Sequence, residues 1–177
     1  MPFPRLLLVA LCLSLGACAA DEPAAPATPP AAPPADQAEA ALTFADPPPA
    51  GETAEVSISP VGNLMEYQET TFTARPGQTV HLTFVNTADA EAMHHNVVVL
   101  AQGADVNAFG QAAMAAADTD YVPAEFADQV VGHTPMSAPG ETVEVTFTAP
   151  TEPGDYTYVC TFPGHYLTMR GTMRVVA

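Results

Sequence analysis

The sequence of 177 residues contains no lysine, and its four arginines stand against 20 aspartates and glutamates. The formal net charge is therefore −16 at pH 7. Nucleic acids and anionic membrane surfaces attract proteins through basic patches, so this composition argues against both as partners. No apolar run in the sequence has the length that a permanent membrane-spanning helix requires.

Cysteine is also scarce, with three in the whole sequence. A single arginine and a short apolar run open the chain, and residues 15–18, Leu-Gly-Ala-Cys, are similar to a bacterial lipobox. We predict a lipoprotein signal peptide over residues 1–17 and acylation of Cys18, which would tie an exported chain to a membrane through lipid alone. The alternative is an ordinary secretory signal that is cleaved nearby. Cys12 would leave with the signal, so Cys160 would be the only free thiol of the exported protein.

Residues 19–50 have little from which a core could be built. Nine prolines and 13 alanines fill 22 of these 32 positions, and five acidic residues lie among the rest. Such a composition favours an extended chain with polyproline II character over packed structure. We therefore predict that the lipidated cysteine and a disordered Pro/Ala-rich tether occupy residues 18–50, followed by one domain over residues 51–177.

The domain shows the alternating pattern of short β-strands, for example at Val80, Leu82 and Phe84. Strands are predicted over 54–59, 66–73, 79–84, 96–100, 141–148, 155–160 and 171–176. Pro-Gly pairs supply turns between several of them. About seven short strands in such a length predict an all-β, antiparallel Greek-key β-sandwich. An alanine-rich stretch over residues 104–118, with Asp105 as a candidate N-cap, predicts a short helical insertion.

The side chains with the most distinctive chemistry lie near the C-terminus. Cys160, His165 and Met169 fall within ten residues around a Pro-Gly loop, which can bring the three side chains together. A thiolate with imidazoles in one plane and a weak axial thioether is the ligand set of blue copper electron-transfer sites. One imidazole is missing from this segment. Its best source is the adjacent pair His94 and His95, just before an apolar strand.

These motifs resemble those of the small blue copper proteins, the cupredoxins, and above all the azurins and auracyanins. The resemblance rests on residues 160–165, Cys-Thr-Phe-Pro-Gly-His, with Met169, and on His95 and the Asn-Val-Val after it. It covers nearly all of residues 51–177 and implies a cupredoxin fold. It also implies one type 1 copper per chain, with His95, Cys160 and His165 in the copper plane and Met169 as axial ligand.

The resemblance extends to the surroundings of the copper site. It implies that the backbone amides of Asn96 and Phe162 donate hydrogen bonds to the Cys160 sulfur, where they would tune the reduction potential. Azurins have a glycine before the first histidine, and its carbonyl approaches copper. This chain has His94 there, so the His94 carbonyl is a possible axial contact. In cupredoxins electrons enter beside the C-terminal histidine through an apolar rim. The positions that match this rim are Met65, Met93, Phe162, Gly164 and Tyr166.

The ligand set and the resemblance predict an electron carrier and not an enzyme, because four protein ligands leave no open position for a small-molecule substrate. Copper enzymes of the nitrite-reductase or oxidase type have a histidine beside the cysteine, where this chain has Val159 and Thr161. The alternative function is copper binding or delivery by a lipoprotein without a carrier role.

The expected partners are redox proteins of a respiratory or photosynthetic chain, such as a cytochrome c, a quinol-oxidising complex or a terminal oxidase. The expected location is the periplasm or the outer side of a bacterial membrane. The acidity could steer a basic partner or adapt the protein to high salt.

Overall fold

The computed structural model describes residues 42–177. The predicted signal peptide, Cys18 and most of the predicted tether lie outside this range. Within it, eight strands form a three-stranded sheet of order β1-β3-β6 and a five-stranded sheet of order β2-β8-β7-β4-β5. The strands are β1 (Ala54–Ile58), β2 (Thr71–Ala74), β3 (Thr79–Val85), β4 (Val98–Leu100), β5 (Val130–His133), β6 (Thr142–Thr148), β7 (Gly154–Val159) and β8 (Arg170–Val175).

The sandwich is confirmed, but its strands are not all antiparallel. β1 pairs with β3 in parallel, and β2 pairs with β8 in parallel. The other ladders are antiparallel. The parallel pairs arise because β1 and β2, although consecutive in the chain, enter different sheets and each becomes an edge strand there.

Two predicted strands are longer than those observed. The strand predicted over 66–73 is confined to β2, and the strand predicted over 96–100 is confined to β4. Residues 66–70 form a loop instead, and the loop is joined to Pro60 by an isolated bridge at Tyr67. Tyr67 is buried in the core. The hydrophobic side chain that suggested a strand therefore belongs to a buried loop residue.

The main core lies between the two sheets. Val80, Leu82 and Phe84 of β3 are fully buried on one side of their strand, as their alternation predicts. Tyr156 and Tyr158 of β7 are buried against them in the same cluster. The core thus reaches the end of β7, where Cys160 follows directly, and it supports that residue with packed side chains on a rigid sheet.

A second, smaller core lies on the outer face of the larger sheet. It is covered by helix α1 (Val106–Ala113) and by the 3-10 turn at Ala124–Gln129. A further 3-10 turn, Ala117–Thr119, lies between these two elements in the chain. Asp105 is the N-cap of α1, and its carboxylate accepts two backbone amides of the first turn at 2.9 and 3.0 Å. Phe109 of the helix packs with Val98 and Val159 of the sheet. The helix is shorter than the predicted insertion over residues 104–118, because the chain leaves the helix in a turn at residues 114–115 and residues 117–118 belong to a 3-10 turn.

Helix α1 also approaches the segment that carries His165. A Cβ atom built on Gly110 would lie only 2.2 Å from the ring of Tyr166. Tyr166 belongs to a third 3-10 turn, His165–Leu167. Glycine is therefore required at this point of the helix by close packing against the turn.

Residues 43–49, which we call the strap, contact the domain although they belong to the predicted tether. Their carbonyls accept three hydrogen bonds of 2.8–3.0 Å from Thr71, Thr73 and Arg75. The guanidinium of Arg174 on β8 lies 3.7 Å from the ring centre of Phe44. The strap thus covers the outer face of β2 and β8, and ordered contacts begin ahead of the predicted domain boundary at residue 51.

Candidate metal centre

Three side chains converge at one end of the sandwich. His95 lies in the loop before β4, Cys160 follows β7, and His165 begins the last 3-10 turn. The Cys160 sulfur lies 3.7 Å from Nδ1 of His95 and 3.6 Å from Nδ1 of His165, and the two nitrogens are 3.2 Å apart. The point equidistant from these atoms is about 2.0 Å from each, close to the ~2.0–2.3 Å bonds that imidazole nitrogen and thiolate sulfur make to a transition metal. The three donors therefore fit a single metal ion.

The centre is sealed from solvent on most sides. His95 and Cys160 are fully buried, whereas His165 keeps 5% of its surface exposed. Within the described residues, Nε2 of His95 is the one buried side-chain nitrogen or oxygen without a hydrogen-bond partner. Its ring is held by packing against Phe84, edge to face at 6.3 Å between centroids. His165 is consequently the ligand side chain through which the centre meets the surface.

The burial of the donors controls their protonation. Burial, with smaller contributions from His165 and His94, lowers the pKa of His95 to about 4. Burial also lowers the pKa of His165. Both imidazoles are therefore neutral at pH 7, with lone pairs that can bind a metal. Burial raises the pKa of the Cys160 thiol to about 12, so a metal ion must displace the thiol proton when it binds.

Met169 lies against this group through its backbone. The Cys160 amide donates to the Met169 carbonyl at 3.1 Å, and the Met169 amide donates to the His165 carbonyl at 2.8 Å. The Met169 side chain is fully buried in the same core cluster as Cys160. The role of the Met169 thioether as axial ligand stays a prediction.

Asn96 joins the two chain segments that carry the donors. The Thr161 backbone amide donates to the side-chain oxygen of Asn96 at 2.8 Å. In return, the side-chain nitrogen of Asn96 donates to the Thr161 hydroxyl at 2.8 Å. The backbone amides of Asn96 and Phe162 donate to the Cys160 sulfur, which lowers the thiol pKa against the larger effect of burial. Amides so directed stabilise negative charge on the sulfur, and the tuning role that the resemblance implies for Asn96 and Phe162 stays a prediction.

The segment that closes over Asn96 is strained. Asp120 and Tyr121 are non-glycine residues in the left-handed region, with φ of 53° and 59°. Each such residue costs roughly 1 kcal/mol or more. The Asn96 side chain donates to the Asp120 carbonyl at 3.2 Å, and the Tyr121 ring meets that of Phe162 at 5.5 Å between centroids. These contacts hold the strained pair against the site.

His94 does not point a donor at the centre. It is half-buried, and its ring stacks on that of Phe162 with centroids 5.6 Å apart and planes at 19°. The Phe162 ring in turn lies 5.0 Å from that of His165. The structure therefore places the His94 side chain in an aromatic stack beside the site, and a contact of its carbonyl with copper stays a prediction.

The five positions of the predicted apolar rim differ in exposure. Met65 is 44% exposed, and Met93, Phe162 and Gly164 are half-buried. Tyr166 differs from the expectation, because it is only 6% exposed and its ring packs against α1. Four of the five positions are therefore at least partly exposed at the surface. Tyr166 instead packs its own 3-10 turn against α1.

Sequence reasoning missed several residues that fix the first histidine segment. The Ser137 amide and hydroxyl both donate to the His95 carbonyl, at 2.8 and 2.9 Å. The Val97 amide donates to the Thr134 hydroxyl at 3.0 Å. Ser137 and Thr134 are fully buried polar residues, but they lie about 40 residues from their partners in the chain. Nothing local in the sequence distinguishes them from surface residues.

A two-sheet sandwich with a buried cysteine thiol and two imidazoles at one end defines a blue copper protein. Residues 54–176 match the family of copper binding proteins described as the plastocyanin/azurin family, and the chain belongs to this family. The match and the grouping of His95, Cys160 and His165 confirm the predicted copper cofactor. Blue copper electron transfer is the general function of the family.

Individual relatives lie among the auracyanins and azurins. The chain is 36% identical over 124 residues to auracyanin-A of Chloroflexus aurantiacus, and this alignment covers 68% of this chain and 73% of that protein. It is 37% identical over 99 residues to outer membrane protein H.8 of Neisseria gonorrhoeae, covering 55% and 53%. A dithionite-reduced auracyanin structure from Roseiflexus castenholzii superimposes with a TM-score of 0.64 at 36% identity, covering 72% of this chain and 100% of that one.

Proposed function

We propose that this protein is a one-electron carrier, and not an enzyme, with one type 1 copper held by His95, Cys160, His165 and Met169. The observation that carries the proposal is the buried triangle of three donor atoms around one ion-sized position. Copper, when bound there, supplies the one-electron couple between Cu(I) and Cu(II).

The chain contributes a site that resists rearrangement. Cys160 is held by backbone amides on its sulfur and by the packed end of β7, and Asn96 fixes the histidine segment to the cysteine segment. A frame of this kind keeps the donors in place in both oxidation states, which lowers the reorganisation needed for each transfer. Full burial of Cys160 and His95 leaves no room for a substrate at the ion, which favours a carrier over a catalyst.

Electrons are proposed to enter and leave beside His165, the ligand nearest the surface. Met65 and its exposed neighbour Leu64, together with Leu167, supply apolar surface around this entry. From residue 51 onward the chain carries 15 acidic residues and three arginines. We propose docking of a basic redox partner, such as a cytochrome c, a quinol-oxidising complex or a terminal oxidase of a respiratory or photosynthetic chain.

The rate of electron transfer to a cytochrome c, measured against ionic strength, tests the docking proposal. Steering by opposite charges predicts a rate that falls as salt rises, because the attraction is screened. A rate independent of salt would refute steering and favour the acidity as an adaptation to salt.

We further propose that the domain works outside the cytoplasm, anchored to a bacterial membrane through lipid on Cys18. The relative in Neisseria is named an outer membrane protein. No helix in the described range, residues 42–177, is long and apolar enough to cross a membrane. Metabolic labelling with radioactive palmitate in a bacterial host should mark the wild-type protein and not Cys18→Ala. Equal labelling of both would refute the anchor.

Titration of the purified protein with Cu(II), followed by visible absorption and EPR, tests the copper proposal. An intense blue band and narrow copper hyperfine splitting are expected, and Cys160→Ser should abolish both. Colourless binding, or colour that survives Cys160→Ser, would refute the thiolate-bound carrier site. Retention of copper after reduction with dithionite separates a carrier from a delivery protein, since delivery requires release.

A further inference from the structure

Two buried tyrosines lie against each other close to the copper site. The rings of Tyr67 and Tyr158 are 5.3 Å apart between centroids, and both side chains are almost completely buried. Each phenol donates a 2.6 Å hydrogen bond to a backbone carbonyl, Tyr67 to Asn96 and Tyr158 to Glu69. The two residues thus share their chemistry and surroundings but differ in the segment that they hold.

The segment held by Tyr67 is the one whose amide reaches the cysteine sulfur. Asn96 follows the ligand His95, and its own amide donates to the Cys160 sulfur. The carbonyl that accepts from Tyr67 belongs to the peptide between Asn96 and Val97. The amide of that same peptide donates to the Thr134 hydroxyl at 3.0 Å. A phenol on one end and a hydroxyl on the other therefore fix the plane of this peptide.

The preceding peptide, between His95 and Asn96, is fixed in the same manner. Its carbonyl accepts two hydrogen bonds from Ser137 at 2.8 and 2.9 Å. Its amide is the one directed at the Cys160 sulfur. The direction of that amide depends on the backbone angles at Asn96, which are set by the restraints on both flanking peptides. Tyr67 supplies its restraint from 29 residues earlier in the chain, whereas Ser137 and Thr134 follow the segment in sequence.

We propose that Tyr67 is a positioning residue for the copper site: by holding the Asn96 carbonyl, its phenol keeps the Asn96 amide on the Cys160 sulfur and so raises the reduction potential. The inference rests on the proposed carrier function. The reduced site carries one more negative charge than the oxidised site, so an amide directed at the sulfur stabilises the reduced state more. Burial raises the pKa of Tyr67 well above its usual value, with a smaller contribution from Cys160, so the phenol remains a donor across the physiological range.

The experiment compares Tyr67→Phe with the matched control Tyr158→Phe in the copper-loaded protein. Both variants keep the stacked rings and lose one buried hydrogen bond, so both should lower the thermal midpoint. Tyr67→Phe alone should lower the reduction potential and shift the blue absorption band. An unchanged potential in Tyr67→Phe, or an equal fall in Tyr158→Phe, would overturn the proposal, because either result would leave Tyr67 with a structural role only.

Thr134→Val provides a second variant should Tyr67→Phe not fold. It preserves the side-chain shape and removes the acceptor at the other end of the same peptide, so the potential should fall in the same direction. A potential that stays at the wild-type value would contradict the argument.

Amide hydrogen exchange gives a readout that needs no copper. In the metal-free protein, Tyr67→Phe should accelerate exchange at Val97 relative to Tyr158→Phe, and equal rates would overturn the link between Tyr67 and this peptide. A wild-type protein without blue colour would refute the proposed function, whereas the exchange comparison would still decide whether Tyr67 holds the segment.

Discussion

Replacing Gly110 by alanine should destabilise the protein although alanine is the better helix former. Gly110 lies inside α1, and the added Cβ would be 2.2 Å from Cγ of Tyr166 and 2.4 and 2.5 Å from two further ring carbons. Carbon atoms pack comfortably at about 3.5–4.0 Å. The Tyr166 ring or the helix must therefore move by roughly 1 Å or more.

Two opposing terms determine the magnitude. Alanine in place of glycine stabilises a helix interior by about 1 kcal/mol, and inserting a methyl group into a packed contact costs about 1–3 kcal/mol. Contacts this short belong at the upper end of that range, so we expect a net loss of about 2 kcal/mol. Because Tyr166 follows the ligand His165 directly, the same displacement should also alter the visible spectrum of the copper form.

Urea unfolding of the metal-free protein measures this loss as a lower midpoint at an unchanged slope. The double variant Gly110→Ala with Tyr166→Leu separates the terms, because the smaller side chain makes room for the methyl group. The double variant should lose less than the sum of the two single losses. A gain of about 1 kcal/mol in Gly110→Ala alone would refute the reasoning, since it would mean that the turn yields and only helix propensity remains.

Three further predictions concern the periphery of the domain. Asp105→Ala removes the cap of α1 and should cost about 1 kcal/mol in urea unfolding. The hydrogen bond that His81 donates to the Glu55 carboxylate is the main cause that raises the pKa of His81. The stability due to this pair should therefore be complete below about pH 6.5 and be lost as pH rises through the raised value. Glu55→Gln should flatten this part of the pH profile. Phe44→Ala removes the ring that contacts Arg174 and should speed proteolytic cleavage within the strap, while the core remains folded.

Each of these predictions has a clear contrary result. An unchanged urea midpoint in Asp105→Ala would mean that α1 is held by packing alone. A pH profile that is identical in wild type and Glu55→Gln would show that His81 gains nothing from its neighbour. Cleavage of the strap at the wild-type rate in Phe44→Ala would show that the hydrogen bonds from β2 suffice to hold it.

The elements that sequence reasoning predicts best depend on neighbouring residues. β3 shows strict alternation, and its alternate side chains Val80, Leu82 and Phe84 are buried. β7 alternates as far as Tyr158, after which Val159 is also buried, in the second core. Cys160 and His165 converge because a Pro-Gly turn between them folds the chain back over five residues. Such short-range patterns contain their own geometry, which is why Cys160 and His165 could be paired from the sequence. His95 lies 65 residues from Cys160, and the resemblance to cupredoxins distinguished it from His94.

The features that escaped prediction depend on distant parts of the chain. Tyr67 looked like part of a strand, but it serves from a loop as the donor to a carbonyl 29 residues away. Asp120 and Tyr121 adopt left-handed backbone without glycine, because contacts from Asn96 and Phe162 enforce it. No periodicity or turn motif encodes such contacts, since each partner becomes meaningful only when the sheets have packed.

The strap changes where the domain should be cut for experiments. A chain that begins at residue 51 would lack the carbonyls that accept from Thr71, Thr73 and Arg75 and the ring beside Arg174. Electrochemistry or scattering on such a fragment would be measured on a protein in which the strap no longer covers the outer face of β2 and β8. The strap also removes about 20 Å of contour, at ~3.1 Å per residue, from the predicted tether. For a lipid at Cys18, the predicted reach of the copper centre would therefore be counted to Leu42, not to Ala50.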